Sequence, residues 1–405
     1  MEKKKVRLVK TADGKNYLVP FVLITTLFFL WGFAHSILDV LNKHFQDVLH
    51  ISKAGSALVQ ATVYGSYFLM ALPVGEIIRR KGYRTGVLLG LVLYGVGALM
   101  FIPGSYMESF PFFLLSLFIV GCGLACLETS ANPYATVLGD KEAAERRINF
   151  AQAFNGLGWI FGPLIGGLFL FADDSDGGSI AVPYTIIGII VLIVAVVFTR
   201  VKLPEIDAST VGEKEEVPTS SPSGLWKNRA FKYGLLALFL YVAAQTGINS
   251  FFINYMTDKA GISAHEASVW LSFGGMGLFM IGRMLGSWVM QYIRADRLMT
   301  YCGWIAALSM VVVIYCDGRI GMFAFFCCYL CESIMYPTIF SLSIRNVGSH
   351  TKRASSYLVM CVVGGAITPI MMGYIADYSS IAYGFFIPLV CFIGVALYSA
   401  FYSKL

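Results

Sequence analysis

Charged residues are scarce in this chain of 405 residues. Lysine, arginine, aspartate and glutamate together make up 13% of it, whereas about a quarter is usual for a soluble domain. Apolar residues make up 57%, compared with about half in a soluble domain. This composition excludes a disordered chain and a water-soluble enzyme. It is typical of a polytopic membrane protein.

The nine cysteines lack the regular spacing of a metal site or of a secreted disulfide framework. They fall almost wholly inside apolar runs, where a thiol packs as a small apolar group. We therefore expect core residues, with no metal ion and no other cofactor. The sequence also lacks a spacing that pairs a nucleophile with a base, so we do not expect an enzyme.

Long apolar runs recur along the whole chain. A helix needs about 20 apolar residues to cross the hydrocarbon, and helix is required there because lipid cannot satisfy unpaired backbone amides. Twelve runs have about this length: 20–42, 55–78, 85–103, 110–138, 149–171, 181–200, 231–257, 266–293, 298–316, 320–344, 355–376 and 382–402. The sequence therefore predicts an all-α polytopic membrane protein with twelve transmembrane helices. The first run is too long for a signal peptide and lacks a cleavage site, so we expect an uncleaved anchor.

Basic residues are distributed unevenly between the segments that join these runs. If the N-terminus is cytoplasmic, 25 of the 30 lysines and arginines fall in cytoplasmic segments, 4 fall in outer loops, and Arg283 lies within a span. This is the positive-inside pattern, and it predicts that both termini are cytoplasmic. It also explains the net charge of +6 without a nucleic-acid partner.

The chain divides into two similar halves. A polar stretch at 201–230, rich in proline, serine and glutamate, separates six runs from six and predicts a flexible cytoplasmic linker. The string Glu128–Pro133 (ETSANP) is repeated as Glu332–Pro337 (ESIMYP), 204 residues later. We therefore predict six-helix bundles at 1–200 and 231–405.

Carboxylates occur at depths where the membrane tolerates them poorly. The three deepest are Asp39, Glu128 and Glu332. A charge there costs at least about 2.5–3.5 kcal/mol, so such residues usually face a solvated cavity or a partner. Asp39 follows Trp31 and His35 at helical spacing. Either Asp39 binds and releases a proton in a cavity, or it forms an ion pair with Lys43 one turn further on. His35 is then a relay partner or a simple hydrogen-bond partner of Asp39.

Amide side chains lie within several predicted spans. The most prominent are Asn132, Gln152, Asn155, Gln245 and Asn249. An amide provides both a donor and an acceptor, as hydroxyl groups require. Amides in membranes also join helices, with a stabilisation of about 0.6 kcal/mol each. Because carboxylates accompany them, we favour a hydrophilic cavity. Gly158 and Gly162 have the small-xxx-small spacing of close helix packing.

Several strings in this chain resemble, in the same order, those of the fucose–galactose–glucose:proton symporters, a branch of the major facilitator superfamily. The strings are Leu27–Trp31, Cys126–Pro133, Asn149–Asn155, Ala244–Thr246, Ile281–Arg283 and Tyr336–Leu342. The resemblance extends over nearly all twelve spans and implies two pseudo-symmetric bundles with a mid-membrane substrate site. It also implies a monomer in the bacterial cytoplasmic membrane that imports a monosaccharide with a proton by alternating access.

The resemblance implies roles for individual residues. Asp39 and Glu128 match the family's two functional carboxylates, which couple transport to the proton. Gln152 and Asn155 match polar residues of the fifth span, and Trp31 matches an aromatic residue near the sugar. The predicted substrate-binding set is Trp31, His35, Glu128, Asn132, Gln152, Asn155, Gln245 and Asn249.

Departures from the family pattern bear on the identity of the sugar. His35 and Ser36 stand where fucose permeases are rich in asparagine, and Asn249 replaces a tryptophan. Glu332 has no carboxylate counterpart, so it is a possible extra membrane carboxylate. Gln245, where the glucose/galactose type tends to carry glutamate, favours L-fucose. Galactose, glucose and fructose stay open as substrates, as do uniport, sodium coupling and a sugar sensor that does not transport.

Overall fold

The computed structural model describes residues 9, 16–139, 144–171, 180–201, 223–290, 292–316, 318–345, 347 and 351–402. All the helices and turns given below lie in this part of the chain. The first half contains α1 (Leu18–Leu49), α2 (Lys53–Ser56), α3 (Leu58–Leu99), α4 (Phe101–Met107), α5 (Phe110–Val137), α6 (Ala144–Leu170) and α7 (Ala181–Arg200). The second half begins with α8 (Ser223–Lys227), α9 (Arg229–Ala260), α10 (Ala264–Trp270), α11 (Gly277–Val289), α12 (Ala295–Tyr315) and α13 (Arg319–Glu332). It continues with α14 (Met335–Ile344), α15 (Thr351–Met360), α16 (Gly364–Tyr378), α17 (Ile381–Gly384) and α18 (Phe386–Phe401). A π-helical segment, Leu271–Met276, joins α10 to α11, and a 3-10 turn, Cys361–Val363, joins α15 to α16.

Eleven helical stretches among the described residues are long and apolar enough to cross a membrane. They coincide with eleven of the twelve predicted spans. The other predicted span, 55–78, falls on the first part of α3, which contains Pro73. The prediction of an all-α polytopic fold is therefore confirmed. Most of the predicted linker at 201–230 lies outside the described residues, and the division into two six-helix bundles stays a prediction.

The long helix α3 consists of two helices joined at Gly82. The φ of 81° and ψ of 165° at Gly82 lie outside the helical region, and glycine adopts them at little steric cost. This turn falls in the basic segment between the second and third predicted spans. Close to it, Arg84 donates a hydrogen bond to the carbonyl of Thr199 at 2.9 Å, which ties this segment to the end of α7.

The chain packs as two compact units. The units, called unit 1 and unit 2 below, are each formed by several separate segments of the sequence. Unit 1 comprises Met1–Ile37, Leu69–Ile165 and Ser179–Glu215, and unit 2 comprises Leu38–Phe68, Gly166–Gly178 and Glu216–Leu405. Helix α1 therefore contributes its first part to unit 1 and its second part to unit 2.

Unit 1 depends on close contact between α1 and α6. A Cβ atom at Gly158 would lie 2.7 Å from the backbone nitrogen of Phe33, and one at Gly162 would lie 2.9 Å from that of Ile37. The Ser36 hydroxyl donates to the Gly158 carbonyl at 3.2 Å. Larger side chains would force the two helices apart. The predicted close packing at these two glycines is confirmed.

Unit 2 is built around α9. This helix packs against α14, α16 and α18. Every residue from Thr246 to Met256 is buried, so all faces of this stretch are covered by protein. Polar side chains within it, among them Asn249 and Asn254, are therefore shielded from lipid and can serve a binding or packing role.

The nine cysteines are free thiols. Eight of them are buried or half-buried, as expected for small core groups. Cys327 is the exception, because it is exposed.

Candidate functional site

A cleft with an empty volume of about 200 Å³ lies in unit 1, where α1 faces α5. Its lining residues are Leu27, Phe28, Trp31, Leu127, Glu128, Ala131 and Asn132. Three residues of the predicted substrate-binding set, Trp31, Glu128 and Asn132, thus meet in one place.

The surface of the cleft is mostly apolar and aromatic, and two polar residues of α5, Glu128 and Asn132, also belong to its lining. On α1, the rings of Phe28 and Trp31 meet edge to face, with their centroids 6.3 Å apart. On α5, Glu128 is half-buried, and Asn132 Nδ2 donates to the Glu128 backbone carbonyl at 3.0 Å, which holds the amide next to the acid. An aromatic ring binds the apolar face of a cyclic solute, while a carboxylate and an amide bind its hydroxyl groups.

His35 lies one turn after Trp31 and supports the aromatic side of the cleft. Its ring meets the Trp31 ring edge to face at 5.9 Å and stacks on the Trp159 ring at 6.0 Å. His35 is buried and is not one of the residues that line the cleft. These contacts fix the orientation of Trp31. The predicted role of His35 as a proton relay is not tested by them.

The two predicted residues of α6 lie outside the lining of the cleft. Asn155 is buried, and its Nδ2 donates to the backbone carbonyl of Phe28 at 3.1 Å. This bond joins α6 to α1 directly behind the aromatic side, which is the joining role that amides often have in membranes. Gln152 is half-buried on the same helix.

Asp39 lies in the second part of α1, in unit 2, and only 2% of it is exposed. Gln60 Nε2 donates to Asp39 Oδ1 at 2.8 Å, whereas Oδ2 has no hydrogen-bond partner among the described residues. Lys43 forms its ion pair with Asp47, at 2.8 Å, so the alternative of an Asp39–Lys43 ion pair is wrong. A carboxyl held by one neutral amide can gain and lose a proton without breaking an ion pair.

The remaining predicted residues also belong to unit 2. Gln245 and Asn249 lie one turn apart on α9, the first half-buried and the second buried. Glu332 is the last residue of α13 and is fully buried. None of the three lines the cleft of unit 1.

Sequence reasoning missed a polar network in unit 2 that connects α2 to α9 and α16. The backbone nitrogens of Lys53 and Ala54 donate to the two carboxylate oxygens of Asp377 at 2.8 and 2.9 Å. The Lys53 ammonium pairs with Asp258 at 2.6 Å. Asp377 thus satisfies the first amides of α2, which are positively polarised, and holds α2 against α16.

A second part of this network runs along α1. Asn42 Nδ2 donates to the Ser250 carbonyl at 2.7 Å. Gln46 Nε2 donates to the Ser56 hydroxyl at 2.7 Å, and its Oε1 accepts a hydrogen bond from Asn254. The sequence does contain a signal for this network. Asn42 and Gln46 follow Asp39 at helical spacing and continue the same polar face of α1.

Buried carboxyls in a multi-pass helical protein usually mark a substrate or ion pathway, which favours a membrane transporter. Comparison with known families agrees with this class. The model of the Major Facilitator Superfamily matches residues 23–363. The chain belongs to the major facilitator superfamily.

Several known transporters are similar to this chain over nearly its full length. The glucose/galactose transporter of Brucella abortus biovar 1 (strain 9-941) is 32% identical, over 98% of this chain and 97% of the relative. The L-fucose-proton symporter of Escherichia coli (strain K12) is 33% identical, over 97% and 95%. The crystal structure of the major facilitator transporter FucP in the outward conformation matches with a TM-score of 0.70 and 32% identity, over 96% of this chain and 100% of that one. The predicted family is confirmed, as is the prediction of a transporter instead of an enzyme.

Proposed function

We propose that this protein imports a monosaccharide across the bacterial cytoplasmic membrane together with a proton. The observation that supports the proposal is the cleft of unit 1, where Trp31 and Glu128 line the same small space. The similar proteins include an L-fucose-proton symporter and a glucose/galactose transporter, each about one-third identical over nearly the full chain.

The lining of the cleft matches the chemistry of a pyranose. A pyranose ring has an apolar face of C–H groups and a rim of hydroxyl groups. The Trp31 ring stacks against the apolar face, and the Glu128 carboxyl accepts hydrogen bonds from the hydroxyls, with the Asn132 amide next to it. The remaining members of the proposed substrate-binding set contact the sugar in the states of the cycle that expose them; they are His35, Gln152, Asn155, Gln245 and Asn249.

Asp39 is the proposed site of the coupling proton, with Glu128 as the second coupling carboxyl. Asp39 is buried with one amide partner, so an ionised carboxylate there is costly by several kcal/mol. A proton from outside neutralises Asp39, sugar binds, and the loaded carrier opens inward and releases both. Sugar bound to the deprotonated carrier does not cross because the charge would have to stay buried during the transition.

L-fucose is the proposed substrate. The residue that favours it is Gln245, which is an amide and not the acid of the glucose/galactose type. Galactose, glucose and fructose are the competing substrates. The test is uptake of the four radiolabelled sugars into proteoliposomes with an acidic exterior, with the pH recorded in weakly buffered medium.

The proposal expects L-fucose to accumulate and protons to enter with it. A protonophore should abolish the accumulation. If accumulation depends on a sodium gradient, proton coupling is contradicted. If the sugar only reaches equal concentrations on the two sides of the membrane, the protein is a uniporter. Sugar binding without counterflow indicates a sensor. If another sugar accumulates preferentially, that sugar replaces L-fucose as the proposed substrate, and proton symport stays the proposed mode of transport.

We also propose that both termini lie in the cytoplasm, on the basis of the distribution of lysine and arginine, and that the protein is a monomer, as the family resemblance implies. Reporter tags at each terminus test the orientation by their accessibility in intact cells. Light scattering of the purified protein tests the monomer.

A further inference from the structure

Glu332 is a buried acid that the proposed cycle does not use. None of its surface is exposed. Neither carboxyl oxygen has a hydrogen-bond partner in the part of the chain that the structure describes. Buried polar groups are hydrogen-bonded in the great majority of cases, so two unpartnered oxygens on one acid require an explanation.

The backbone is interrupted directly after Glu332. Helix α13 ends at this residue, and α14 begins at Met335 within the same predicted span. Pro337 has no N–H, so it cannot bond to the carbonyl of Ser333 four residues earlier. Arg283 of α11 lies near that carbonyl, with its Nε 3.5 Å from it. Interrupted helices within membranes commonly mark substrate and ion sites.

The titratable groups around Glu332 come from several helices. It interacts electrostatically with Tyr241 of α9 and with Cys328 and Tyr329 of its own helix. The Tyr241 and Tyr329 hydroxyls are themselves buried and have no hydrogen-bond partner among the described residues. Asp39, another buried carboxyl of unit 2, also interacts electrostatically with Tyr329.

The other helices packed against α13 contribute few further charged or titratable groups. Arg283 of α11 lies over the Phe279 ring at 4.9 Å and interacts electrostatically with Tyr241. The Cys302 thiol of α12 forms a hydrogen bond with the Cys331 thiol. Tyr336 of α14 contacts the Tyr241 ring at 6.2 Å. The segment Leu271–Met276 has no titratable side chain.

This environment suits a carboxylic acid better than a carboxylate. A buried carboxylate without a donor or counter-ion is costly by several kcal/mol, and a proton removes that cost. Glu332 is also the repeat counterpart of Glu128, which lines the cleft of unit 1. Each half of the chain therefore places one acid at the equivalent position.

We propose that Glu332 is a further proton-binding carboxyl of the transport cycle, in addition to Asp39 and Glu128. Glu332 holds a proton while it is buried and releases it in the state in which its surroundings admit water. The Tyr241 and Tyr329 hydroxyls then donate hydrogen bonds to the carboxylate. This inference rests on the proposed proton-coupled sugar transport.

The test is sugar binding to the purified protein as a function of pH, with radiolabelled L-fucose as the probe. One linked proton changes an equilibrium constant by up to about tenfold per pH unit. The neutral amide in Glu332→Gln imitates the protonated acid, so this variant should bind L-fucose at acidic pH nearly as well as the wild type. As the pH rises, the affinity of Glu332→Gln for L-fucose should fall less steeply than that of the wild type, by up to about tenfold per pH unit. The control is Glu266→Gln, which removes an exposed acid of α10 in the same unit and should follow the wild-type curve.

Two results would overturn the inference. One is a Glu332→Gln curve that coincides with that of the wild type. The other is a folded Glu332→Gln protein that binds no sugar at any pH, because the neutral mimic should bind. If the wild type itself binds none of the four sugars, the proposed function is wrong. Proton binding by Glu332 is then tested in the absence of sugar.

That test is the pH-induced infrared difference spectrum, which reports protonated carboxyl groups directly. The wild type should have a carboxyl band that Glu332→Gln lacks. If Glu332→Gln does not fold, Glu332→Asp keeps a titratable acid and should shift the band. An unchanged spectrum in the folded variant contradicts the inference.

Discussion

The side-chain amide of Gln60 donates a hydrogen bond to Asp39 Oδ1 at 2.8 Å, and both residues are buried. This bond brings together the second part of α1 and the start of α3 in unit 2. Because Gln60 is neutral, it orients the carboxyl without the strong preference for the ionised form that a lysine or arginine would impose. The pair is suited to proton exchange.

Asp39→Asn should abolish accumulation of sugar against its gradient while counterflow exchange persists. The amide keeps the shape of the side chain and its bond to Gln60, but it cannot carry a proton. Uptake driven by an acidic exterior should fall to the equilibrium level. Asp47→Asn is the matched control, because it removes an exposed acid from the same helix and should leave uptake unchanged. Full concentrative uptake by Asp39→Asn would refute the assignment of Asp39.

Gln60→Leu should move the pH profile of uptake to higher pH. Leucine cannot form the hydrogen bond that Gln60 donates to Asp39, and a hydrogen bond to a charged group contributes about 1.5–3 kcal/mol. The direction of the shift follows from the donor. The Gln60 amide N–H stabilises the ionised Asp39 carboxyl, so losing this bond makes it harder for Asp39 to release its proton. In the Asp39→Asn background only counterflow exchange persists, and there Gln60→Leu should not shift the pH profile of that exchange. A pH profile that moves to lower pH would contradict the proposed effect of Gln60 on the protonation of Asp39. So would a shift that remains in the double variant.

Trp31→Ala should weaken sugar binding by about tenfold or more, because stacking of an aromatic ring contributes about 0.5–1.5 kcal/mol beyond the area that it buries. Trp31→Phe should recover part of the affinity. Equilibrium binding of radiolabelled sugar measures both variants. Trp304→Ala is the control, since Trp304 is an exposed residue of α12. Equal losses in the two alanine variants would exclude a specific contact at Trp31.

Gly158→Ala should destabilise the protein. The added methyl group would lie 2.7 Å from the backbone nitrogen of Phe33, and overpacking of this kind costs about 1–3 kcal/mol. Gly65→Ala is the control, because a Cβ at this helical position meets nothing within 4 Å. It should be neutral or slightly stabilising. Thermal unfolding in detergent separates the two, and equal melting temperatures would disprove close contact of α1 and α6.

Asp377→Ala should loosen α2 from α16, because the backbone nitrogens of Lys53 and Ala54 lose their charged acceptor. A cysteine introduced at the buried Ser56 reports the change through its rate of maleimide labelling. The rate should rise at least several-fold, since removing a charge-assisted hydrogen bond costs about 1.5–3 kcal/mol. Asp47→Ala, in the same cysteine background, should leave the rate unchanged.

Much of the fold could be predicted because the membrane imposes simple rules. Apolar runs of span length coincide with eleven helices, and the Gly158 and Gly162 spacing correctly predicted a close helix contact. The site was predicted in part: Trp31, Glu128 and Asn132 do line one cleft. The partners of the polar residues could not be predicted, because i+4 spacing alone gives Asp39 the neighbour Lys43, whereas the structure pairs it with Gln60 from another helix.

The sequence by itself determined that the chain is a multi-pass helical membrane protein, because lipid permits few other structures for such long apolar runs. It also identified the buried acids, since their cost in hydrocarbon makes them conspicuous. Only the tertiary structure decided which acid has which neighbour. It placed Glu128 in a cleft with Trp31 and Asp39 against Gln60, and it left both carboxyl oxygens of the buried Glu332 without a hydrogen-bond partner among the described residues. The reason is physical: hydrogen bonds between helices depend on how the helices pack, and packing joins residues that are far apart in the sequence.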